Sequence, residues 1–539
     1  MVNKILGVGF FAFAVLNVSS QEAVGPMKPS AYEAGINHWH MQDMQKDGTP
    51  GVSAEKAYTE LLVGRKSTPV VVAIIDSGTE TFHPDLKDNV WINPKEIAGN
   101  NVDDDKNGYV DDIHGWSFIG GEKGDVSFDN LEFTRIYRDL KNRFGTVTDE
   151  KQVSDSDRSD YARFIKMKGE YDKRWKTAQE EAQNFEMVVM FYERSDEALR
   201  QVLGKEDYTV EDVQAMEPKD DFMKAVKEFM TMAMQEDLKN QFAEGKEHYD
   251  SMLQYQLNLD FDPRYLVGDN YSDSHQKNYG NNHVDGPESD HGTHVGGIVG
   301  ATRNGFGMDG IADNVRLMIV RCVPNGDERD KDVANSIRYA VDNGARVINM
   351  SFGKSYSPQK DVVDEAVKYA ESKGVLLVHA AGNDGKNVDV AANFPKDKYN
   401  SGEYCSTWLE IGASGRELSA LSADFSNYGK KSVDVFAPGV DIYSTVTGDQ
   451  YKDNSGTSMA SPVTAGVAAT ILSYYPQLTA KDVKAIIMKS AVNYGKQKVV
   501  MPGNPSKKVK FKKLSVTGGV VNLYEALKLA ETWKSGSQG

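Results

Sequence analysis

Val70-Val71-Val72-Ala73-Ile74-Ile75 is an unbroken apolar run. Without polar alternation, such a run predicts a strand buried on both faces of a parallel sheet. The stretches 315–320, 347–350, 375–380 and 408–413 repeat the pattern. Helical periodicity fills intervals between them, as over 332–343 and 359–373. Strand and helix alternating in this way predict an α/β fold with a doubly wound, mostly parallel sheet. In such sheets ligands gather beyond the carboxyl ends of the strands.

Residues 122–275 follow a different pattern. Residues 161–203 are rich in helix formers and contain no proline, and 220–257 behave alike. Phe222, Val226, Phe229 and Ala233 recur at helical spacing and predict one apolar stripe. Thr209 with Asp212 reads as a capping box opening a short helix between the longer ones. The block holds six of the 48 glycines and nine of the 19 methionines. It also carries 35 acidic and 22 basic side chains, a net −13 out of −17 for all 539 residues. An acidic all-α subdomain inserted into the α/β domain is the expected organisation.

Charge and leader sequence narrow the class. An acidic chain lacks the cationic footprint that condenses on phosphate backbones, so no nucleic-acid partner is expected. Residues 1–20 read as a signal peptide: Lys4, an apolar run from Ile5 to Val18, and small residues at Ser19-Ser20. The run is too short to span a bilayer, so no transmembrane segment and an exported protein, periplasmic or extracellular, are expected. Residues 21–65 form an N-terminal extension and 66–535 the main domain. Cys322 closes one expected strand and Cys405 precedes another, at opposite sheet ends, so no disulfide is expected. No organic-cofactor motif is present.

Three segments have a composition that packing does not explain: Asp76-Ser77-Gly78 after the first strand, Asp290-His291-Gly292-Thr293-His294, and Ser455-Gly456-Thr457-Ser458-Met459-Ala460-Ser461-Pro462. Taken singly they read as a turn acid, a histidine pair lacking a third metal ligand, and a helix N-cap. Taken together they supply a carboxylate, an imidazole and a hydroxyl, the set that acyl transfer needs.

In the order Asp, His, Ser, with the strings VVVAIIDSG, HGTHVGGIVGA and GTSMASPVTAG, the chain resembles the subtilisin-like serine proteases, the subtilases. The resemblance covers about 66–125 and 276–530. It implies serine endopeptidase activity on polypeptides, with Ser458 the nucleophile, His291 the general base and acid, and Asp76 its orienter. His294 falls on the family's structural histidine. His379-Ala380-Ala381-Gly382-Asn383 matches the segment bearing the oxyanion asparagine, which assigns Asn383 to that role. Ser351-Phe352-Gly353 matches the strand on which substrate aligns, with Gly382 opposite and Asn393 near the floor of the main specificity pocket, where many relatives have glycine. A shallower, more polar pocket follows. A subtilisin-like transpeptidase or macrocyclase, and a non-catalytic binding protein, stand as the alternative readings.

Asp103-Asp104-Asp105-Lys106-Asn107-Gly108-Tyr109 fits a D-x-[DN]-x-[DN]-G loop for a hard cation. Asp103, Asp105, Asn107, the Tyr109 carbonyl and Asp112 are the expected ligands of a structural Ca²⁺, with His114 where an EF-hand carries glutamate. Two departures from the family stand out. The Asp and His segments lie 215 positions apart, and the helical block accounts for it, expected to cap or flank the cleft. About 45 residues separate the leader from the first strand, short for a folding-assisting propeptide.

Overall fold

The structure, a computed structural model, describes residues 38–236 and 238–534. The leader 1–20 and the first part of the extension lie outside the described residues. Two compact units form: the helical unit Phe133–Asp262, and a sheet unit made of the residues before and after it.

Nine strands build the main sheet of the sheet unit: β1 (Val70–Asp76), β2 (Gly115–Ser117), β3 (Val315–Arg321), β4 (Val347–Met350), β5 (Leu376–Ala380), β6 (Trp408–Ser414), β7 (Val435–Pro438), β8 (Val492–Asn493) and β9 (Gly519–Val520). Their order is β8-β9-β7-β6-β5-β4-β1-β3-β2. All pairings are parallel except β8 with β9. The chain crosses over β1 on its way from β3 to β4, so the order reverses there, and a site is expected beyond the end of β1. β1, β3 and β6 are buried almost throughout, as their unbroken apolar runs demand.

Four helices matter for the site: α1 (Asp290–Gly300), α2 (Asp330–Asp342), α3 (Lys360–Ser372) and α4 (Thr457–Tyr474). α4 is composed largely of Ala, Gly, Ser and Thr and is buried along nearly its whole length. It has no polar face because it runs through the core; its Thr464 and Thr470 hydroxyls are satisfied by the carbonyls four residues back. The described part of the N-terminal extension belongs to the same core. Trp39, Met41, Val52, Ala54, Ala57 and Leu62 pack into it, and the Trp39 indole donates to the Val440 carbonyl at 2.9 Å.

Cys322 and Cys405 are both buried and unbridged.

The helical unit includes helices Arg158–Leu203, Val210–Ala215, Asp221–Gln235 and Leu238–Ser251. The Thr209–Asp212 capping box is present, reciprocal as the pattern predicts. The stripe on Asp221–Gln235 is displaced from its expected register. Met223, Val226, Met230 and Ala233 are buried, while Phe222 is 47% exposed. Asp220 is the N-cap, accepting from the Met223 N–H, which leaves Phe222 in the first turn. Methionine, slim and flexible, fills the interface with Leu199 and Val213 instead. Phe229 packs at the margin, edge-on to Phe191.

The unit is narrower than 122–275; its flanks belong to the sheet unit. Before it, Asp129 grips Arg329 (2.7 and 3.0 Å). Glu132 meets the buried Lys354 ammonium at 2.9 Å, which also contacts Asp330 at 2.8 Å. After it, Arg264 pairs with Asp332 and Asp269, both at 2.6 Å. Each buried charge is thus matched.

Candidate active site

Asp76 is the last residue of β1, and its main-chain carbonyl is held by the Cys322 and Val323 N–H groups after β3. The residue is 1% exposed. Asp76 Oδ1 accepts from the Ser77 N–H at 2.8 Å and lies 2.7 Å from His291 Nδ1. His291 sits in the first turn of α1. A Cβ on its neighbour Gly292 would lie 1.9 Å from the Gly78 carbonyl, so glycine there lets helix and acid-bearing turn approach closely. Burial alone would depress the His291 pKa, but the Asp76 carboxylate beside it, with Asp290 nearby, carries it above the ordinary histidine value. The contact also fixes the tautomer: Nδ1 carries the hydrogen toward the carboxylate, leaving Nε2 to accept a proton.

His294 faces the other way. It is buried and its Nε2 contacts the Lys452 carbonyl at 3.0 Å, and desolvation pushes it down to about 3. A permanently neutral ring suits a structural role.

Ser458 opens α4, and its hydroxyl donates to the Ser351 carbonyl at 3.1 Å. The Ser351 hydroxyl returns a bond to the Ser458 carbonyl at 2.9 Å. Asn349 continues the link, donating to the Ser351 hydroxyl (2.9 Å) and accepting from Ser461 (2.7 Å). The hydroxyl-bearing helix and segment 351–353 are therefore tied together at several points.

Asn383 follows β5, and its side-chain carbonyl accepts from both the Thr457 N–H and hydroxyl at 2.9 Å. That turns the amide nitrogen the opposite way. A Cβ built on Gly456 would lie 3.4 Å from Asn383 Nδ2 and 3.5 Å from the Ser458 nitrogen. Both nitrogens therefore lie close to the Gly456 position, where the Ser458 helix begins. Asn427 braces the loop, donating to the Ala381 carbonyl at 2.8 Å and accepting from the Asp384 and Lys386 N–H groups.

Asn393 lies between the other two expected wall segments. Its amide donates to the Ala381 and Ala380 carbonyls (3.1 and 3.3 Å). A Cβ on Gly353 would stand 2.6 Å from its side-chain oxygen, and one on Gly382 3.8 Å from its nitrogen. Glycine at 353 and 382 makes room for an amide in that space. Phe352 is nearly buried, with its carbonyl turned to His379.

Of the five expected ligands of the acidic loop, the structure brings together the carboxylates of Asp103 and Asp105, joined by Glu96. Glu96, Asp103 and Asp105 bring carboxylate oxygens within 4.8 Å of one another. Asp103 also accepts from the Asn107 and Gly108 N–H groups (3.0 and 2.8 Å), winding the loop around itself. Asn107 is turned to the Tyr109 N–H and Asp112. Asp112 is buried and held by Asn93 (2.9 Å), Asn107 (3.1 Å) and Tyr339 (2.6 Å), and desolvation pushes it up to about 6. Its oxygens are committed inward, and Glu96 takes the place expected of Asp112. His114 contacts the Trp91 carbonyl at 2.9 Å.

Thr457, Asn427 and Glu96 are the residues that sequence reasoning missed. Thr457 was signalled only by its place next to Ser458. Asn427 and Glu96 carry no motif signal.

Comparison with known proteins adds a family. The subtilase family (peptidase S8) matches residues 67–508. A thermophilic serine proteinase of Bacillus sp. strain AK1 is 44% identical over 187 residues, 34% of this chain and 43% of that protein. A thermostable alkaline protease of Halalkalibacterium halodurans is 35% identical over 206 residues, 38% of this chain and 53% of that one. The chain thus spans about half the length of these curated relatives. A solved protease from Pseudoalteromonas arctica PAMC 21717 is 30% identical, covering 44% of this chain and 70% of its own, with a TM-score of 0.36.

Proposed function

Because the chain belongs to the subtilase family, we propose that it is an exported serine endopeptidase acting through an acyl-enzyme on Ser458. The observation that carries this is the Asp76–His291 contact of 2.7 Å, together with the Asn383 side chain held against Thr457, next to Ser458. Ser458 Oγ attacks the scissile carbonyl while its proton passes to His291 Nε2, and Asp76 stabilises the resulting imidazolium. The carbonyl oxygen becomes an oxyanion held by Asn383 Nδ2 and the Ser458 N–H. Collapse breaks the C–N bond, and the leaving amine takes the proton from His291. Water then adds to the acyl carbonyl, giving its proton to His291, and the second collapse restores the Ser458 hydroxyl.

Polypeptide substrate would lie along 351–353 as an added strand, so that main-chain pairing supplies register. The side chain before the scissile bond would meet the Asn393 amide. Small and polar residues should be preferred there; cleavage profiling dominated by large aromatic residues would overturn this reading.

Glu96, Asp103 and Asp105 fit a hard divalent cation such as Ca²⁺, because the set is all oxygen and one Glu96 oxygen is buried without a hydrogen-bond partner. The ion would brace the loop before β2 and take no part in the chemistry. Export rests on the leader composition; no helix of the described residues is long and apolar enough to cross a membrane.

Fluorophosphonate labelling is the direct test. Wild type should be labelled and Ser458→Ala should not. No labelling of wild type would return the chain to the binding-protein reading.

A further inference from the structure

His379 lies in β5, fully buried, three residues before Gly382. Both of its ring nitrogens face acceptors. Nδ1 is 2.9 Å from Glu410 Oε2 on the neighbouring strand β6, and Nε2 is 2.9 Å from the Phe352 carbonyl. A neutral imidazole has one N–H and would set a lone pair against one of these oxygens. An imidazolium satisfies both. Its surroundings suit a cation: Glu410 also accepts from the Trp408 indole at 2.8 Å, and the Trp408 ring lies 5.1 Å from the imidazole ring.

The consequence falls on segment 351–353. In a trans peptide the carbonyl and the following N–H point in opposite directions. A donor drawing the Phe352 carbonyl inward therefore turns the Gly353 N–H outward, on the side where an added strand would pair. A Cβ on Gly353 would strike Asn393, so residue 353 itself has little room to hold its own peptide plane by packing.

We propose that His379, held between Glu410 and the Phe352 carbonyl, is a positioning residue that sets the 352–353 peptide plane and thereby the alignment of extended substrates. This rests on the protease reading above and deepens it. His379 touches neither substrate nor the reacting atoms. Its loss should weaken binding of substrates long enough to pair with residue 353 and leave the chemical step alone.

The test compares a succinylated tetrapeptide p-nitroanilide with an acetyl-amino-acid p-nitrophenyl ester carrying the same residue before the scissile bond. His379→Leu should raise KM for the tetrapeptide about tenfold, the loss of one well-aligned hydrogen bond. The ester KM, both kcat values and the rate of fluorophosphonate labelling should stay unchanged. His379→Gln, which returns an N–H donor toward the Phe352 carbonyl, should recover most of the loss. An equal change for both substrates, or none, overturns the proposal. Wild type that resists fluorophosphonate would sink the protease reading with it, so the two failures are distinguishable.

Discussion

His291 can accept the Ser458 proton only while its ring is neutral, and Asp76 holds its pKa above the ordinary value of 6.5. Activity should therefore fall as pH drops through a midpoint higher than that value. Asp76→Asn removes the upward pull and moves the midpoint toward acid. It also frees the wrong tautomer, so kcat at the optimum should fall about 10⁴-fold; pH profiles of kcat/KM for the two proteins check both effects. Asn383→Ala should lower kcat by about 10²–10³ with little change in KM, as loss of such a donor does in subtilisin. Thr457→Val, which strips a hydroxyl donor from the Asn383 carbonyl, should act in the same direction and more weakly. Asp76, His291, Ser458 and Asn383 were legible because each sits at a strand end or helix start in a string whose composition packing does not require. Thr457, Asn427 and Glu96 were not. Asn427 reaches Ala381 across 46 positions, and Glu96 lies outside the acidic motif that it completes.

At the level of elements, strands were the most legible feature, because burial on both faces leaves an unbroken apolar signature. The strand over 347–350 is found with those bounds, and the others differ by a residue at an end. The displaced stripe of Asp221–Gln235 shows what periodicity omits: which of two staggered apolar sets faces inward depends on the partner helix and on where the N-cap starts the first turn. The core role of Trp39 was also hidden, since its hydrogen-bond partner Val440 lies 401 positions away. Packing of α4 is testable with a pair of glycines. Gly466→Ala would place a Cβ 2.6 Å from Ile311 Cβ, and overpacking of that kind should cost about 1–3 kcal/mol. Gly169→Ala, in helix Arg158–Leu203 with nothing within 4 Å, should stabilise by roughly 0.5–1 kcal/mol. Thermal melts should move in opposite directions. The acidic loop makes a further prediction: chelation should lower the melting temperature of wild type by several degrees and that of Glu96→Gln by less. Equal shifts would place the ion elsewhere.

For the whole molecule, the composition shift at 122–275 revealed that a helical insertion exists, whereas its limits were set by ion pairs between distant residues that composition does not encode. Replacing 133–262 with a short linker should leave the sheet unit folded, with one cooperative thermal melt; loss of that melt would count against the independence of the two units. Such a replacement is reasonable on structural grounds. Glu132 is clamped through Lys354 to Asp330, and Arg264 to Asp332, so the two points of attachment are fixed around the first turn of one helix, α2. Within the helical unit, Arg138 bonds Phe261 and Asp262 (2.9 and 3.1 Å) and draws its own two ends together. Chain-closure entropy grows only with the logarithm of length, about 0.6 kcal/mol per doubling. A host whose two ends are already anchored therefore bears only about 2 kcal/mol more from 130 residues than from ten. The attachment behaves as a socket, open to exchange of its contents by recombination or by design without refitting the sheet unit.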